Sequence, residues 1–247
     1  MSVWVTTDLH GNYNLWEQIK NFLKEDDTLI FLGDAVDRGG RGFEIFMELL
    51  NDERVCYLRG NHEEMMADAY LLQSEKGEFL KHWYKNGGKA TKANIDSLGL
   101  DWNTKQALLQ KVYQLPLWAQ YTNESGDTFI LSHAGYTPGD YYDRMYKDQK
   151  ENYLIWNRNH WNWPWPKDEK YKRTIMVHGH TPILLMKQMG LYPQASGYSP
   201  FLYEDNHKLN LDAATANTGI AFLFNLDTLD YELFTDGSIY KDTEEEE

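Results

Sequence analysis

Five clusters of residues able to bind metal or move protons recur along the 247-residue chain: Asp8-Leu9-His10, Gly33-Asp34-Ala35-Val36-Asp37-Arg38, Gly60-Asn61-His62-Glu63, His133, and Gly179-His180. One such residue after a strand is more often a hydrogen-bonded structural group. Five clusters in series carry a different weight, because carboxylates, imidazoles and a carboxamide together can hold cations and pass protons. Cys56 is the single cysteine, so no intrachain disulfide forms and any metal must be held through nitrogen and oxygen.

These side chains need elements to bring them together, and each cluster follows a short apolar or β-rich run. The runs lie at 2–7, 28–32, 55–58, 128–131 and 174–177, lengths that suit strands ending in glycine or polar residues. Between the first three runs, Leu15, Trp16, Ile19, Phe22 and Leu23 recur at helical spacing, as do Phe43, Ile45, Phe46, Leu49 and Leu50. The order β-α-β-α-β with short links predicts parallel strands with right-handed crossovers. Ligands of such sheets collect beyond the carboxyl ends of the strands, where Asp8, His10, Asp34, Asn61 and His62 fall.

From about 63 to 118 the pattern predicts a helical insertion on the same domain, with its methionine and aromatic stripes packed inward and a break at Gly87-Gly88. Strands are predicted near 128–133, 173–178, 208–212, 219–226 and 230–235. No helix separates the last three, which predicts an antiparallel meander. Residues 153–171 hold Trp156, Trp161, Trp163 and Trp165 among Pro164 and Pro166, which predicts an aromatic loop. Packing over a sheet edge is the favoured role for it, a wall of a substrate cleft the second. The expectation is a single domain over 1–240 followed by an acidic tail, 241–247.

Composition excludes several classes. The 42% hydrophobic and 15% aromatic content is that of a folded globular chain. A net charge of −14 with no basic stripe disfavours nucleic acid or an anionic membrane as main partner. No run reaches the roughly 18 apolar residues of a membrane span, and the start lacks the features of a secretory signal, which predicts a cytoplasmic protein.

The ordered motifs D-x-H, G-D-x-x-D-R-G, G-N-H-E and two separated histidines resemble the signature of the calcineurin-like metallophosphoesterases. The likeness leans toward the phosphoprotein phosphatase branch, of bacterial and bacteriophage type, through Leu58-Arg59-Gly60-Asn61-His62-Glu63-Glu64-Met65-Met66, Ile155-Trp156-Asn157-Arg158 and Gly179-His180-Thr181-Pro182. It implies an α/β fold in which two mixed sheets form a β-sandwich flanked by helices. It further implies two divalent ions, with Asp34 bridging, Asp8 and His10 on one and Asn61, His133 and His180 on the other. Such a pair acidifies a water and polarises a phosphate ester. A sulfur-free ligand set fits Mn²⁺ or Fe, with Zn²⁺ also compatible. By the same resemblance His62 is the general acid, oriented by Asp37, and Arg38, Arg59 and Arg158 hold phosphate through their planar forks. Arg144 and Arg173 are alternatives to Arg158.

The implied reaction is hydrolysis of phosphoserine or phosphothreonine in proteins, with phosphotyrosine also open; the alternative is a dinucleoside polyphosphate (Ap4A-type) hydrolase. A catalytically silent metal-binding protein would lack a ligand or the acid, and none is missing. His178 is expected to be a structural strand-end residue. His82, His160 and His207 match no motif and are expected at the surface or in packing. Asp212 is either a hydrogen-bond partner behind a ligand or a turn residue, the latter favoured.

Overall fold

The computed structural model describes residues 1–72, 77–139 and 147–238; the tail at 241–247 and Arg144 lie outside the described residues. Two five-stranded mixed sheets face each other. The first runs β10 (Tyr231–Thr235), β9 (Ile220–Asn225), β1 (Val3–Thr6), β2 (Thr28–Phe31), β3 (Val55–Tyr57). The second runs β4 (Trp118–Thr122), β5 (Thr128–Ser132), β6 (Thr174–His178), β8 (Lys208–Asn210), β7 (Phe201–Tyr203).

Side-chain alternation along each strand explains the layering. Val3, Val5, Ile30, Leu32 and Leu58 of the first sheet meet Phe129, Leu131, Val177 and Leu209 of the second in a buried layer between the sheets. Their neighbours Leu29, Phe31 and Tyr57 point to the other face, under helices. There α1 (Tyr13–Phe22) buries Leu15, Trp16 and Ile19, and Asn12 caps it by accepting from the Leu15 amide at 3.3 Å. Helix α2 (Gly42–Asn51) buries Phe43, Ile45, Phe46 and Leu49.

Strands β1, β2 and β3 pair in parallel, as the βαβαβ pattern predicted. β5, β6 and β8 are likewise parallel to one another. The carboxyl ends of these strands carry every candidate ligand.

The meander expectation is corrected. β9 and β10 pair antiparallel, but β8 belongs to the other sheet, between β6 and β7. Its three residues are all buried, and such a strand bears no local mark of which sheet it enters. β4 and β7 were not foreseen. The stretch after His62 is four helices, α3 (Asn61–Leu71), α4 (Glu78–Lys85), α5 (Gly88–Ser97) and α6 (Trp102–Val112), and Trp118 already opens a strand. The aromatic segment is corrected at its start: α7 (Lys147–Trp156) continues through Tyr153–Trp156, because Pro164 and Pro166 disrupt helix only near themselves. Beyond it come short 3₁₀ turns at His160–Asn162 and Glu169–Tyr171. Helices α8 (Ile183–Gln188) and α9 (Thr215–Thr218) complete the described elements, none of which is long and apolar enough to cross a membrane.

Candidate active site

The six candidate ligands, Asp8, His10, Asp34, Asn61, His133 and His180, are brought together, each at most 5% exposed. Asp34 Oδ2 is central, 3.4 Å from His133 Nε2 and 3.8 Å from His10 Nε2. His10, Asp34 and His62 form one group able to hold a cation, and Asp34, His133 and His180 a second, so Asp34 is common to both. Asn61 Oδ1 joins the second, 2.9 Å from His133 Nε2 and 2.8 Å from His180 Nδ1. Asp8 Oδ1 lies 3.8 Å from His10 Nε2, while its Oδ2 accepts from the His180 amide at 3.0 Å and the Thr7 hydroxyl at 2.5 Å.

The backbone aims these groups. His10 Nδ1 faces the Val36 carbonyl and His133 Nδ1 the Leu32 carbonyl, both at 3.0 Å, so each ring turns Nε2 into the site. Asp8, His10, Asp34, Asp37, Arg38 and His180 all adopt positive φ, between 45° and 72°, which non-glycine residues take reluctantly. Gly60 allows the chain after β3 to approach the Asp34 carboxylate closely, since a Cβ there would lie 2.2 Å from Asp34 Oδ1. Glu63, fully buried, locks the same corner by accepting from the amides of Asp34 and Ala35, both at 2.8 Å, and of Gly60 at 3.0 Å. Glu63 was quoted in a motif but given no role. Its position one turn into α3, where a carboxylate reaches back to the preceding amide, was the signal available.

These residues fit divalent cations. Donors are nitrogen and oxygen only, the carboxamide oxygen and two imidazole nitrogens converge within 3.1 Å, and buried His180 Nε2 has no hydrogen-bond partner. Electrostatics agree. Burial alone would lower the His133 pKa, but Asp34, Asp8 and Glu63 raise it to about 9, so the pocket holds a positive charge there. Burial holds His10 and His180 well below the usual imidazole range, reinforced by neighbouring His62 and His133 respectively, leaving neutral donors.

Beside this cluster His62 Nδ1 meets Asp37 Oδ2 at 2.7 Å, and His62 Nε2 lies 3.3 Å from Arg38 Nη2. Burial opposes a charged imidazole, yet Asp34 and Asp37 together raise its pKa. Asp37 is itself fixed from the helical segment: Trp83 Nε1 donates to both carboxylate oxygens at 2.8 and 2.9 Å, and the Thr91 hydroxyl meets the Asp37 amide nitrogen at 2.7 Å. Sequence reasoning placed Trp83 in packing alone; no spacing ties α4 to Asp37.

The arginines differ. Arg59 is 9% exposed, with Nη1 3.5 Å from Glu64 Oε1 and Nε without a partner. Arg38 and Arg158 are exposed at the rim, Arg158 donating to the Thr181 hydroxyl at 3.0 Å beside His180. Arg173 is tied instead to Asp127 and the Ser125 carbonyl, outside the cluster.

His178 takes the structural role expected, bonded to Tyr203 Oη at 2.8 Å. His160 is wholly buried and His207 stacks on Trp165 at 5.0 Å, both packing roles. His82 lies 6.0 Å from the Trp156 ring. The tryptophans divide: Trp156, held by Glu64 at 2.9 Å, stands 6.5 Å from the His180 ring, whereas Trp161 and Trp165 are buried and Trp163 is exposed. Asp212 closes a turn by accepting from the Ala214 amide at 2.8 Å, and burial followed by the charge of Asp8 raises its pKa well above the carboxylate range.

Known proteins resemble this chain in sequence and in fold. The family model of the calcineurin-like phosphoesterases matches residues 1–213. "Serine/threonine-protein phosphatase 2" of Salmonella typhimurium is 33% identical over 162 residues, covering 64% of this chain and 68% of the relative. A symmetrical bis(5'-nucleosyl)-tetraphosphatase of Xanthomonas campestris is 38% identical over 68 residues, only 26% of this chain and 21% of the relative. A Saccharomyces cerevisiae protein serine/threonine phosphatase with similarity to human PP5 superposes with a TM-score of 0.56 at 15% identity, covering 98% of this chain and 82% of that one, which is a likeness of fold. With a family match over most of its length and a buried, sulfur-free cluster beside a hydrogen-bonded His–Asp pair, the chain belongs to the calcineurin-like phosphoesterases, metal-dependent hydrolases built on a dinuclear centre.

Proposed function

We propose that this protein removes phosphate from phosphoserine and phosphothreonine side chains of proteins, with two Mn²⁺ ions as the preferred metals. The observation that carries the reading is the Asp34 carboxylate, its Oδ2 3.8 Å from His10 Nε2 and 3.4 Å from His133 Nε2, with the His62–Asp37 pair 2.7 Å apart at its side. The Salmonella relative, named for serine/threonine-protein phosphatase activity, supports the substrate class.

Asp8, His10 and Asp34 would hold one ion, and Asp34, Asn61, His133 and His180 the other. When bound, the ions supply an acidified water and charge compensation for the phosphoryl oxygens. Arg38, Arg59 and Arg158 orient the phosphate through charge-assisted hydrogen bonds. His62, whose protonated form Asp34 and Asp37 favour against burial, donates its Nε2 proton to the departing alkoxide, and Asp37 fixes the ring through Nδ1.

The test is a substrate panel on Mn²⁺-reconstituted protein: a phosphoserine peptide, a phosphotyrosine peptide and a dinucleoside tetraphosphate, compared by kcat/KM. The phosphoserine peptide should lead. A lead for the dinucleotide, which the short Xanthomonas match would favour, overturns the substrate assignment.

A further inference from the structure

Lys208, the first residue of β8, is 0% exposed, and the reaction derived above leaves its charge unused. Burying an ammonium costs several kcal/mol, and among the described residues no carboxylate forms an ion pair with it. Burial pulls its pKa down to about 8, so it remains a cation at neutral pH. Methionine or leucine would fill the same space without that cost, so the charge itself has to be explained.

What the ammonium holds is backbone. Nζ donates to the His160 carbonyl at 2.7 Å and to the Trp163 carbonyl at 3.0 Å. The Thr137 hydroxyl reaches the same two oxygens, at 2.8 and 3.4 Å. These carbonyls bracket the 3₁₀ turn His160–Asn162, which begins two residues after Arg158. The His160 ring rests 4.5 Å from the His178 ring at the end of β6, and Tyr203 Oη of β7 bonds His178 at 2.8 Å and approaches His160 Nδ1 at 3.4 Å. Just upstream, the Asn157 side chain accepts from the Asn159 amide at 2.8 Å, so the backbone on both sides of Arg158 is pinned. The guanidinium leaves this pinned turn to bond Thr181, next to His180.

We propose that Lys208 is a positioning residue for phosphate recognition: by drawing the His160 and Trp163 carbonyls onto β8 it fixes the turn from which Arg158 projects, and so fixes where that guanidinium meets the phosphate. The inference rests on the reading of Arg158 as a phosphate ligand. It explains how an exposed arginine on an irregular segment acquires a defined position, since a fork of donors acts at full strength only when held within a fraction of an ångström.

The test is a double-mutant cycle on the full chain reconstituted with Mn²⁺, with bound metal measured for every variant. Arg158→Ala should lower kcat/KM about tenfold, the scale of one charge-assisted hydrogen bond. Lys208→Met, similar in length but uncharged, should lower it by several-fold, mostly through KM, with metal content unchanged. In the Arg158→Ala background Lys208→Met should change kcat/KM by less than about twofold, because the group it positions is already gone. Equal losses in both backgrounds would mean a general packing role and overturn the proposal, as would full activity of Lys208→Met in the otherwise native chain. If Arg158→Ala alone is silent, the phosphate reading of Arg158 fails and the proposal with it. Should Lys208→Met not fold, Thr137→Val removes a single hydroxyl from the same carbonyls, and its smaller loss must show the same dependence on Arg158.

Discussion

Replacing Gly179 by alanine is a sharp test of whether Asp8 works as a metal ligand. Gly179 does not need left-handed backbone, so alanine brings no conformational strain. It brings one methyl group, whose carbon would lie 2.1 Å from Asp8 Oδ2, 2.4 Å from Thr7 Oγ1 and 2.7 Å from Thr7 Cγ2. Carbon–oxygen contacts settle near ~3.3 Å, so the carboxylate must retreat by about 1.2 Å. It would lose its bond to the His180 amide and drag the Thr7 hydroxyl with it. Disturbing a group that orients a ligand costs ~10- to 100-fold in metal affinity, and a misplacement of ~1 Å in a catalytic constellation about 100-fold in rate. Titration calorimetry of Mn²⁺ into chelator-stripped protein should therefore show a Kd raised ~10- to 100-fold, and kcat should stay low at saturating metal. Overpacking of ~1–3 kcal/mol should cost a few degrees of Tm at roughly 2–4 °C per kcal/mol for a chain of this size. Gly40→Ala, whose methyl meets nothing within 4 Å, serves as control. Wild-type metal affinity and turnover in Gly179→Ala, with a normal melting curve, would refute the placement of Asp8 at the metal.

Other outcomes follow from the same geometry. His62→Asn should keep both metals and lower kcat by roughly 10²- to 10⁴-fold on esters with poor leaving groups, with a smaller loss on nitrophenyl phosphate, as steady-state kinetics on the two esters would show. Arg59→Ala should raise KM and lower kcat/KM more than Arg158→Ala does, because Arg59 sits on the fixed β3–α3 corner, and Arg59→Lys should recover only part of the loss. His133, with its pKa raised to about 9, must give up a proton to bind a cation. Apparent Mn²⁺ affinity should therefore rise between pH 7 and 9, and calorimetry in buffers of different ionisation enthalpy should register proton release. Trp83→Phe removes the donor to both Asp37 oxygens and should reduce kcat while leaving metal content unchanged, as elemental analysis and kinetics would show.

The clustering of the candidate ligands was legible because each member is adjacent in sequence to the strand that places it. Asp8, Asp34, Asn61, His133 and His180 each need only a strand and a turn, and alternation marks both. What was illegible depends on partners remote in the chain. The contacts from Trp83 and Thr91 to Asp37 span 46 and 54 residues, and a buried tryptophan reads the same whether or not its N–H has a catalytic neighbour. β8 was assigned to the wrong neighbours for a related reason: Lys-Leu-Asn holds too few residues for its pattern to choose a sheet. Lys208 was given no role from the sequence, since nothing local announces that the carbonyls of a loop more than forty residues upstream will enclose it.

The left-handed backbone at Asp8, His10, Asp34, Asp37, Arg38 and His180 has a consequence outside the reaction. At about 1 kcal/mol each, the six residues together store roughly half of the 5–15 kcal/mol by which a domain usually outlasts its unfolded chain. Cations that bind only the folded form return part of it, about 2.7 kcal/mol for each site filled at a hundred times its Kd. The metal-loaded protein should therefore resist proteolysis longer than the chelator-stripped protein, as timed digestion with and without Mn²⁺ would show.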